Sequence, residues 1–153
     1  MNRRPAATGG FSLIELLVTL AILAIVSSLA VGGYRQYLRR AHRVDATAAL
    51  LRVASAQEKY YAQNGQYADG LAMAPAPPAG LGISGTERGD YVLDIQAAAG
   101  GTVIGFTATA TVAADGTQTD DADCWVFTLN ERGLRGAQRR DGSAVADAGD
   151  CWR

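Results

Sequence analysis

Glu15 is the only charged residue in an apolar run that extends from Phe11 to about Val31. A charged side chain in the middle of a membrane-length helix is unfavourable by roughly 2.5–3.5 kcal/mol on translocon-insertion scales, so an acid there is expected to have a partner. Cleavage between Gly10 and Phe11 would create an α-amine shortly before Glu15, and such an amine is mostly cationic at neutral pH. We therefore expect Glu15 to pair with the amine of its own chain or of a neighbouring chain.

Cys124 and Cys151 are the only cysteines in the chain. In a chain that is exported, an even number of cysteines predicts a disulfide bond. The bond would close a loop of roughly 26 residues and contribute about 3–4 kcal/mol to stability in the chain-entropy model. Two free, buried thiols are the alternative. One histidine and two distant cysteines are too few ligands for a structural zinc site, so no metal is expected.

His42, the only histidine, lies in a basic helical stretch, which is typical of a solvated surface residue rather than of a general base. Serine- and cysteine-based catalytic triads would need a further base, and the sequence offers none. We therefore predict that the chain is not an enzyme and that it uses no cofactor.

Charged clusters near the C-terminus are the remaining candidates for ligand binding. The acidic cluster consists of Asp115, Asp120, Asp121 and Asp123. It lacks EF-hand spacing and the closing glutamate, which favours a solvated acidic turn over a calcium site. Arg135, Arg139 and Arg140 could contact phosphates, but no aromatic residues are interleaved with them and the formal net charge is −1. A nucleic-acid partner is therefore not favoured.

A long helix must position the N-terminal residues. Helix-forming residues dominate from Ser12 to about Gln63, and Asn64-Gly65 supplies the stop signal. Residues 11–33 are hydrophobic on all sides, as in a membrane-spanning or bundle-core helix, whereas residues 34–64 are amphipathic. The amphipathic part carries two overlapping apolar stripes, one of Val44, Ala48, Leu51 and Ala54 and one of Leu50, Val53, Gln57 and Tyr61. Two stripes predict burial on two sides, for instance against a sheet and against neighbouring helices.

Gly32-Gly33 lies where this helix would leave the bilayer. Two glycines lower helix propensity by roughly 2 kcal/mol relative to alanine, which predicts a kink or local melting. A close helix–helix contact through small residues is the alternative. Tyr34, Tyr37 and the arginines between Arg35 and Arg43 follow, as in an interfacial belt.

Residues 65–153 are predicted to form a globular domain. Its first part, Tyr67–Gly89, is rich in alanine, proline and glycine and is expected to be an irregular connection. Alternating apolar residues predict three strands and a shorter fourth: Tyr91–Gln96, Ile104–Val112, Cys124–Leu129 and Leu134–Ala137. Short turns between consecutive strands imply a three- to four-stranded antiparallel sheet packed on the helix, and hence an α+β fold.

The run GFSLIELLVTLAILAIV resembles the class III (prepilin) signal of type IV pilins and of type II secretion pseudopilins. That pattern is a short basic leader ending in glycine, a cut before phenylalanine and a glutamate shortly after the cut. The resemblance implies that a prepilin peptidase removes residues 1–10 by cutting between Gly10 and Phe11, and that the Phe11 amine is methylated. An ordinary secretory signal cut after Ala30, or an uncleaved anchor, would leave Glu15 without a role.

The resemblance extends to the C-terminal half. A terminal loop tied to a strand by Cys124 and Cys151 matches the D-region of type IV pilins, which pseudopilins more often lack. Many type IV pilins have a proline where this chain has Gly32, so the helix flexibility expected at Gly32-Gly33 depends on glycine alone.

The function implied by the resemblance is that of a minor pilin, a structural subunit that supports pilus assembly and its initiation, twitching motility and surface adhesion. A pseudopilin of a type II secretion system is the alternative. The expected partners are other pilin subunits, bound through the N-terminal helix bundle, the prepilin peptidase and the inner-membrane assembly machinery. We expect a single pass through the bacterial inner membrane with a periplasmic C-terminal domain, followed by the extracellular fibre. Arginine counts alone predict the opposite orientation, because more arginines follow the run than precede it.

Overall fold

The structure, a computed structural model, describes residues 11–153. These residues belong to two compact units, one that ends at Tyr37 and one that extends from Leu38 to Arg153. The elements in chain order are helix α1 (Leu13–Asn64), a 3-10 helix (Gly70–Ala72), strands β1 (Tyr91–Ala97), β2 (Phe106–Val112), β3 (Val126–Asn130) and β4 (Arg135–Gln138), and helix α2 (Gly149–Trp152).

The N-terminal part of α1 is an apolar helix whose large side chains are exposed among the described residues. The helix begins at Leu13, and the backbone N–H groups of Glu15 and Leu16 donate to the carbonyl oxygen of Ser12 at 3.0 and 3.2 Å. The large apolar side chains from Leu13 to Leu29 are 50–77% exposed. By length and composition this helix can cross a membrane. A helix that is hydrophobic on all sides needs lipid or other apolar helices around it.

The C-terminal end of α1 is set by Gly65. This glycine has a φ of +70°, the left-handed conformation that residues with a Cβ rarely adopt. Its N–H donates to the carbonyl oxygen of Tyr61 at 2.8 Å, which closes the last turn. The helix stop predicted at Asn64-Gly65 is confirmed.

The four strands form one antiparallel sheet in sequential order. Leu93 pairs with Ala110, Ala110 with Phe127, and Phe127 with Ala137, so these side chains point to the same face. That face is buried in one core with the α1 residues Ala46, Ala49, Leu50 and Val53. The predicted α+β fold is therefore confirmed. Small alanine side chains on both the helix and the sheet allow the two layers to approach closely.

The strand boundaries differ from the prediction by one or two residues, and the third strand begins at Val126 rather than at Cys124. The strand expected to begin at Ile104 begins at Phe106. The reason is a turn, in which the N–H groups of Ile104 and Gly105 donate to the carbonyl oxygen of Gly101 at 3.1 and 3.4 Å. Gly101 has a φ of +92°, so the turn depends on glycine at that position.

The two predicted stripes of α1 have different environments in the unit from Leu38 to Arg153. Leu50, Val53 and Gln57 are no more than 1% exposed, whereas Val44 and Leu51 are 56% and 48% exposed. Leu50, Val53 and Gln57 are therefore buried, but Tyr61 of the same stripe is 37% exposed. Val44, Ala48 and Leu51 of the other stripe are exposed, whereas its Ala54 packs against the core.

Gln57 connects α1 to the irregular segment that follows it. Its side-chain Nε2 donates to the carbonyl oxygen of Ala68, and the N–H of Ala68 donates to its Oε1, both at 2.8 Å. Both residues are buried. The side-chain amide of Gln57 thus satisfies the buried N–H and C=O groups of Ala68, as a neighbouring strand would in a sheet.

The segment after β4 covers the outer edge of the sheet. The N–H of Val145 donates to the carbonyl oxygen of Ala137 at 2.9 Å, and the indole N–H of Trp152 donates to the carbonyl oxygen of Gly136 at 3.0 Å. The Val145 bond satisfies part of the row of backbone groups that the outer edge of β4 exposes, whereas Gly136 faces β3, where it pairs with Thr128.

Candidate functional site

Phe11 and Glu15 lie at the beginning of α1. The Phe11 side chain is 81% exposed, and Glu15 is exposed in the first helical turn, where the helix dipole favours a negative charge. None of the ion pairs formed within residues 11–153 includes Glu15. Gly10 and the leader lie outside the described residues, so cleavage, methylation of Phe11 and pairing of Glu15 stay predictions.

α1 is continuous through Gly32 and Gly33. A Cβ added at either glycine would have no heavy atom within 4 Å among the described residues. Packing among residues 11–153 therefore does not require glycine at either position. Flexibility of the helix at this point stays a prediction.

Arg43 and Asp121 form a buried ion pair with two hydrogen bonds in the C-terminal unit. Arg43 Nε lies 2.6 Å from Asp121 Oδ2, and Arg43 Nη2 lies 2.8 Å from Oδ1. The side chains are 13% and 1% exposed. Burial lowers the pKa of Arg43, but the hydrogen bonds and charge of Asp121 outweigh this effect and raise the pKa overall. The pair fixes the loop before β3 to α1, and Arg43 Nη1 also reaches the carbonyl oxygen of Asp150 at 3.4 Å.

His42 joins a second buried acid to the same part of α1. Its Nδ1 lies 2.7 Å from Asp90 Oδ2, while the Thr117 hydroxyl donates to Asp90 Oδ1 at 2.7 Å. Burial raises the pKa of Asp90, but the hydrogen bonds with His42 and Thr117 outweigh burial and lower the pKa overall. The expectation that His42 is a solvated surface residue is wrong, because its side chain is only 21% exposed and is paired.

The acidic cluster does not behave as one solvated turn. Asp115, Asp120 and Asp123 are exposed, but Asp121 is buried and both of its oxygens accept hydrogen bonds from Arg43. Its carboxylate is therefore already neutralised within the chain. Within the part of the chain that the structure describes, no group of three acidic, histidine or cysteine side chains could hold a metal ion.

Cys124 and Cys151 form the predicted disulfide bond, with their Cα atoms 5.7 Å apart. Both cysteines are almost completely buried. The bond joins Cys124, two residues before β3, to α2, so it closes the C-terminal segment into a loop. The predicted disulfide-closed C-terminal region is confirmed.

Two arginines of this region lie over tryptophan rings. The guanidinium carbon of Arg135 is 5.1 Å from the ring centroid of Trp152, and that of Arg140 is 4.8 Å from the ring centroid of Trp125. Such distances are in the range of cation–π contacts. Sequence spacing did not predict this interleaving, because each tryptophan lies more than ten residues from its arginine along the chain.

Comparison with known families assigns the chain to a class of protein. The family described as "Type IV minor pilin ComP, DNA uptake sequence receptor" matches residues 33–128, and the prokaryotic N-terminal methylation motif matches residues 6–31. The chain belongs to this family of type IV minor pilins. Type IV pilins are structural subunits, and the methylation motif together with the apolar helix indicates a membrane-anchored subunit of a pilus.

Two curated relatives are fimbrial or pilin proteins, and one solved structure is also similar. The fimbrial protein EcpC of Eikenella corrodens is 30% identical over 133 residues, which are 79% of this chain and 82% of that protein. The type IV major pilin protein PilE1 of Neisseria gonorrhoeae is 29% identical over 57% of this chain and 50% of its own length. A solved type IV pilin from Shewanella oneidensis aligns with 63% of this chain and 89% of its own, with 23% identity and a TM-score of 0.43.

Proposed function

We propose that this minor pilin enters the pilus through its N-terminal helix and supports pilus assembly and its initiation, twitching motility and surface adhesion. One observation carries the proposal: an exposed apolar helix has its single acid, Glu15, next to the expected new chain end at Phe11. Neighbouring helices of other pilin subunits would cover the apolar surface that this chain leaves uncovered.

Glu15 has the role of an alignment device in this proposal. The new Phe11 amine of an adjacent subunit is the cation that fits it by charge and position. A paired charge in an apolar bundle contributes to register more than to stability, because only one axial offset between helices satisfies the pair. The prepilin peptidase, which creates the amine, and the inner-membrane assembly machinery are then required partners.

Replacing the acid tests the proposal. Glu15→Ala should leave cleavage and membrane insertion intact, since it makes the segment more apolar, and should abolish incorporation into fibres. The matched control is Glu58→Ala, which removes an exposed glutamate of the C-terminal unit. Fibres sheared from cells are blotted for the subunit, and twitching zones are measured. Normal fibre content in the Glu15→Ala strain contradicts the proposal.

The chain end itself is tested by mass analysis. Membrane-associated protein should begin at an N-methylated Phe11. A protein that still begins at Met1, or that begins at Val31, lacks the proposed cation and contradicts the pairing with Glu15.

A type II secretion pseudopilin remains the alternative function. The disulfide-closed loop and the matched family support the pilus. The two functions differ in what the cell loses: deletion of a pilus subunit should remove twitching and leave protein secretion intact. Loss of protein secretion with twitching intact supports the pseudopilin.

DNA binding is a second candidate function. Two observations support it: the matched family is described as a DNA uptake sequence receptor, and Arg135 and Arg140 each lie over a tryptophan ring. Arginines held in this way keep their N–H groups available for phosphate oxygens while the ring restricts their motion. Arg139 lies between them in sequence and is 43% exposed.

Duplex binding by the full chain in detergent tests this candidate. Arg135→Gln with Arg140→Gln should weaken binding and should reduce the slope of log K against log salt by roughly two, one for each lost phosphate contact. Arg88→Gln, which replaces an exposed arginine in the loop before β1, is the control for net charge. Equal affinity and slope in all variants contradict a role for this region in DNA binding.

A further inference from the structure

A cleft of about 350 Å³ lies between α1 and the irregular connection that contains Pro77 and Leu81. None of the residues that line it belongs to the disulfide loop or to the pairs formed by His42 and Arg43. Its volume is in the range of pockets that hold small ligands.

The helix side of the cleft is a polar stripe. Its members recur at helical spacing, so they lie on one face of α1: Arg52, Ser55, Lys59, Tyr60 and Gln63. Among the hydrogen bonds within residues 11–153, none uses the side-chain polar atoms of Ser55, Lys59, Tyr60 or Gln63. These four side chains therefore line one cleft, and their hydrogen-bonding capacity is unused among the described residues.

The charge of the cleft is positive. Lys59 is the only lysine of the protein, and it makes none of the ion pairs within residues 11–153. Arg52 lies 3.3 Å from Glu87, but the two side chains are 46% and 77% exposed. Exposed pairs of this kind contribute little to stability, so a ligand anion can compete with Glu87. The cleft thus favours a negatively charged ligand.

The opposite wall is apolar and held in place by the backbone. Pro77 and Leu81 present carbon surface to the cleft. The N–H groups of Leu81 and Gly82 donate to the carbonyl oxygens of Ala72 and Pro75 at 2.9 and 2.8 Å. A wall fixed by such bonds exists before the ligand arrives, which lowers the entropic loss on binding.

We propose that this cleft binds an acidic sugar residue, a hexose-sized ring that carries a carboxylate. Lys59 pairs with the carboxylate, while Ser55, Tyr60 and Gln63 exchange hydrogen bonds with the ring hydroxyls. The C–H face of the ring packs on Pro77 and Leu81. A simple inorganic anion leaves the apolar wall uncovered, and a neutral sugar leaves Lys59 without a counter-charge. This ligand site goes beyond the proposed role in the fibre and does not depend on it.

Saturation-transfer NMR on the full chain in detergent tests the site. Methyl β-glucuronide and the methyl glycoside of N-acetylneuraminic acid are the two acidic probes, and they separate a uronic from a sialic source. Methyl β-glucoside and inorganic phosphate are the neutral and the ring-free comparisons. We expect at least one acidic probe to bind with a Kd on the order of 1 mM and about tenfold more tightly than the glucoside.

Three variants assign the binding to the cleft. Lys59→Gln should weaken the acidic probe about tenfold, and Ser55→Tyr should abolish binding by filling the cleft while the charge stays unchanged. Arg88→Gln removes an equal charge elsewhere and should bind as the unchanged chain does. Circular dichroism confirms that each variant is folded. Equal binding of glucoside and glucuronide, full competition by phosphate, or unchanged binding in Lys59→Gln overturns the proposal.

Discussion

Arg43 and Asp121, which lie 78 residues apart in the chain, share two hydrogen bonds inside the C-terminal unit. Removing one member of a buried ion pair leaves an uncompensated charge, which destabilises a protein by roughly 3–5 kcal/mol. We predict that Asp121→Asn lowers the free energy of unfolding by this amount. Chemical denaturation of the full chain in detergent, followed by tryptophan fluorescence, measures the change.

The matched control for this pair is the double variant Arg43→Met with Asp121→Leu. Apolar residues in both positions leave no buried charge, so the double variant should be more stable than Asp121→Asn alone. The single variants Arg43→Met and Asp121→Leu complete the cycle. If the double variant is destabilised by the sum of these two single effects, the contact is not a coupled pair.

Asp90 should make the stability of the protein depend on pH in the acid range. Burial raises its pKa, but hydrogen bonds with His42 and Thr117 outweigh burial, so the pKa in the folded state lies below the ordinary value. The unfolded state therefore binds the proton more readily. The stabilisation is complete above about pH 4 and is lost as the pH falls through the folded-state pKa. Asp90→Asn should be less stable than the unchanged chain at pH 7 and should lose less on acidification below pH 4.

Urea denaturation at pH 7 and at pH 3 checks this prediction. Asp115→Asn, at an exposed aspartate in the same part of the chain, is the control and should keep the pH dependence of the unchanged protein. Parallel loss of stability on acidification in Asp90→Asn and in the unchanged protein contradicts the assignment.

Gln57 should behave as a structural residue although it lies in an apolar stripe. Gln57→Ala leaves the buried N–H and C=O of Ala68 without their partners, and each unsatisfied group costs about 1–3 kcal/mol. We predict a total loss of roughly 2–5 kcal/mol in the denaturation experiment. Gln63→Ala, one to two turns further along α1 at an exposed position, should change stability by less than about 0.5 kcal/mol. Similar effects of the two substitutions would argue against a special role for Gln57.

The disulfide should hold the segment after β4 against the sheet. Cys124→Ser with Cys151→Ser removes a closed loop with a sequence separation of 27, which corresponds to roughly 3–4 kcal/mol in the chain-entropy model. We expect faster proteolysis after Arg139 and Arg140 in this variant, because the segment opens more often. The natural protein should be cleaved at the same rate as this double variant once its disulfide is reduced. Unchanged cleavage in both forms contradicts a locking role of the bond.

Local patterns predicted the elements of this fold well. The helix stop at Asn64-Gly65 follows from a glycine in the left-handed conformation, and the burial of β2 follows from strict alternation of apolar residues with threonines. The pairing of Cys124 with Cys151 needed only the even count and an exported chain. The first two inferences use residues that are close together in sequence. The third uses the only two cysteines of the chain, so no other pairing is available.

Long-range polar pairs were not predictable in this way. His42 and Arg43 are adjacent in a basic stretch, and nothing in that stretch indicates that both side chains turn inward to acids 48 and 78 residues away. Thirteen other acidic residues compete for such pairing at the level of the sequence, so only the packed fold selects Asp90 and Asp121 among the fifteen. The cleft beside Lys59 is likewise formed by a loop whose course the sequence pattern leaves open.

The covered edge of β4 limits edge-to-edge pairing between neighbouring copies of the protein. A bare strand invites an identical strand from the next molecule, and such pairing propagates without limit into sheets that cannot be taken apart. Here residues 143–145 occupy that side of the strand within the same molecule. This side of the sheet is therefore closed to a strand from a second molecule.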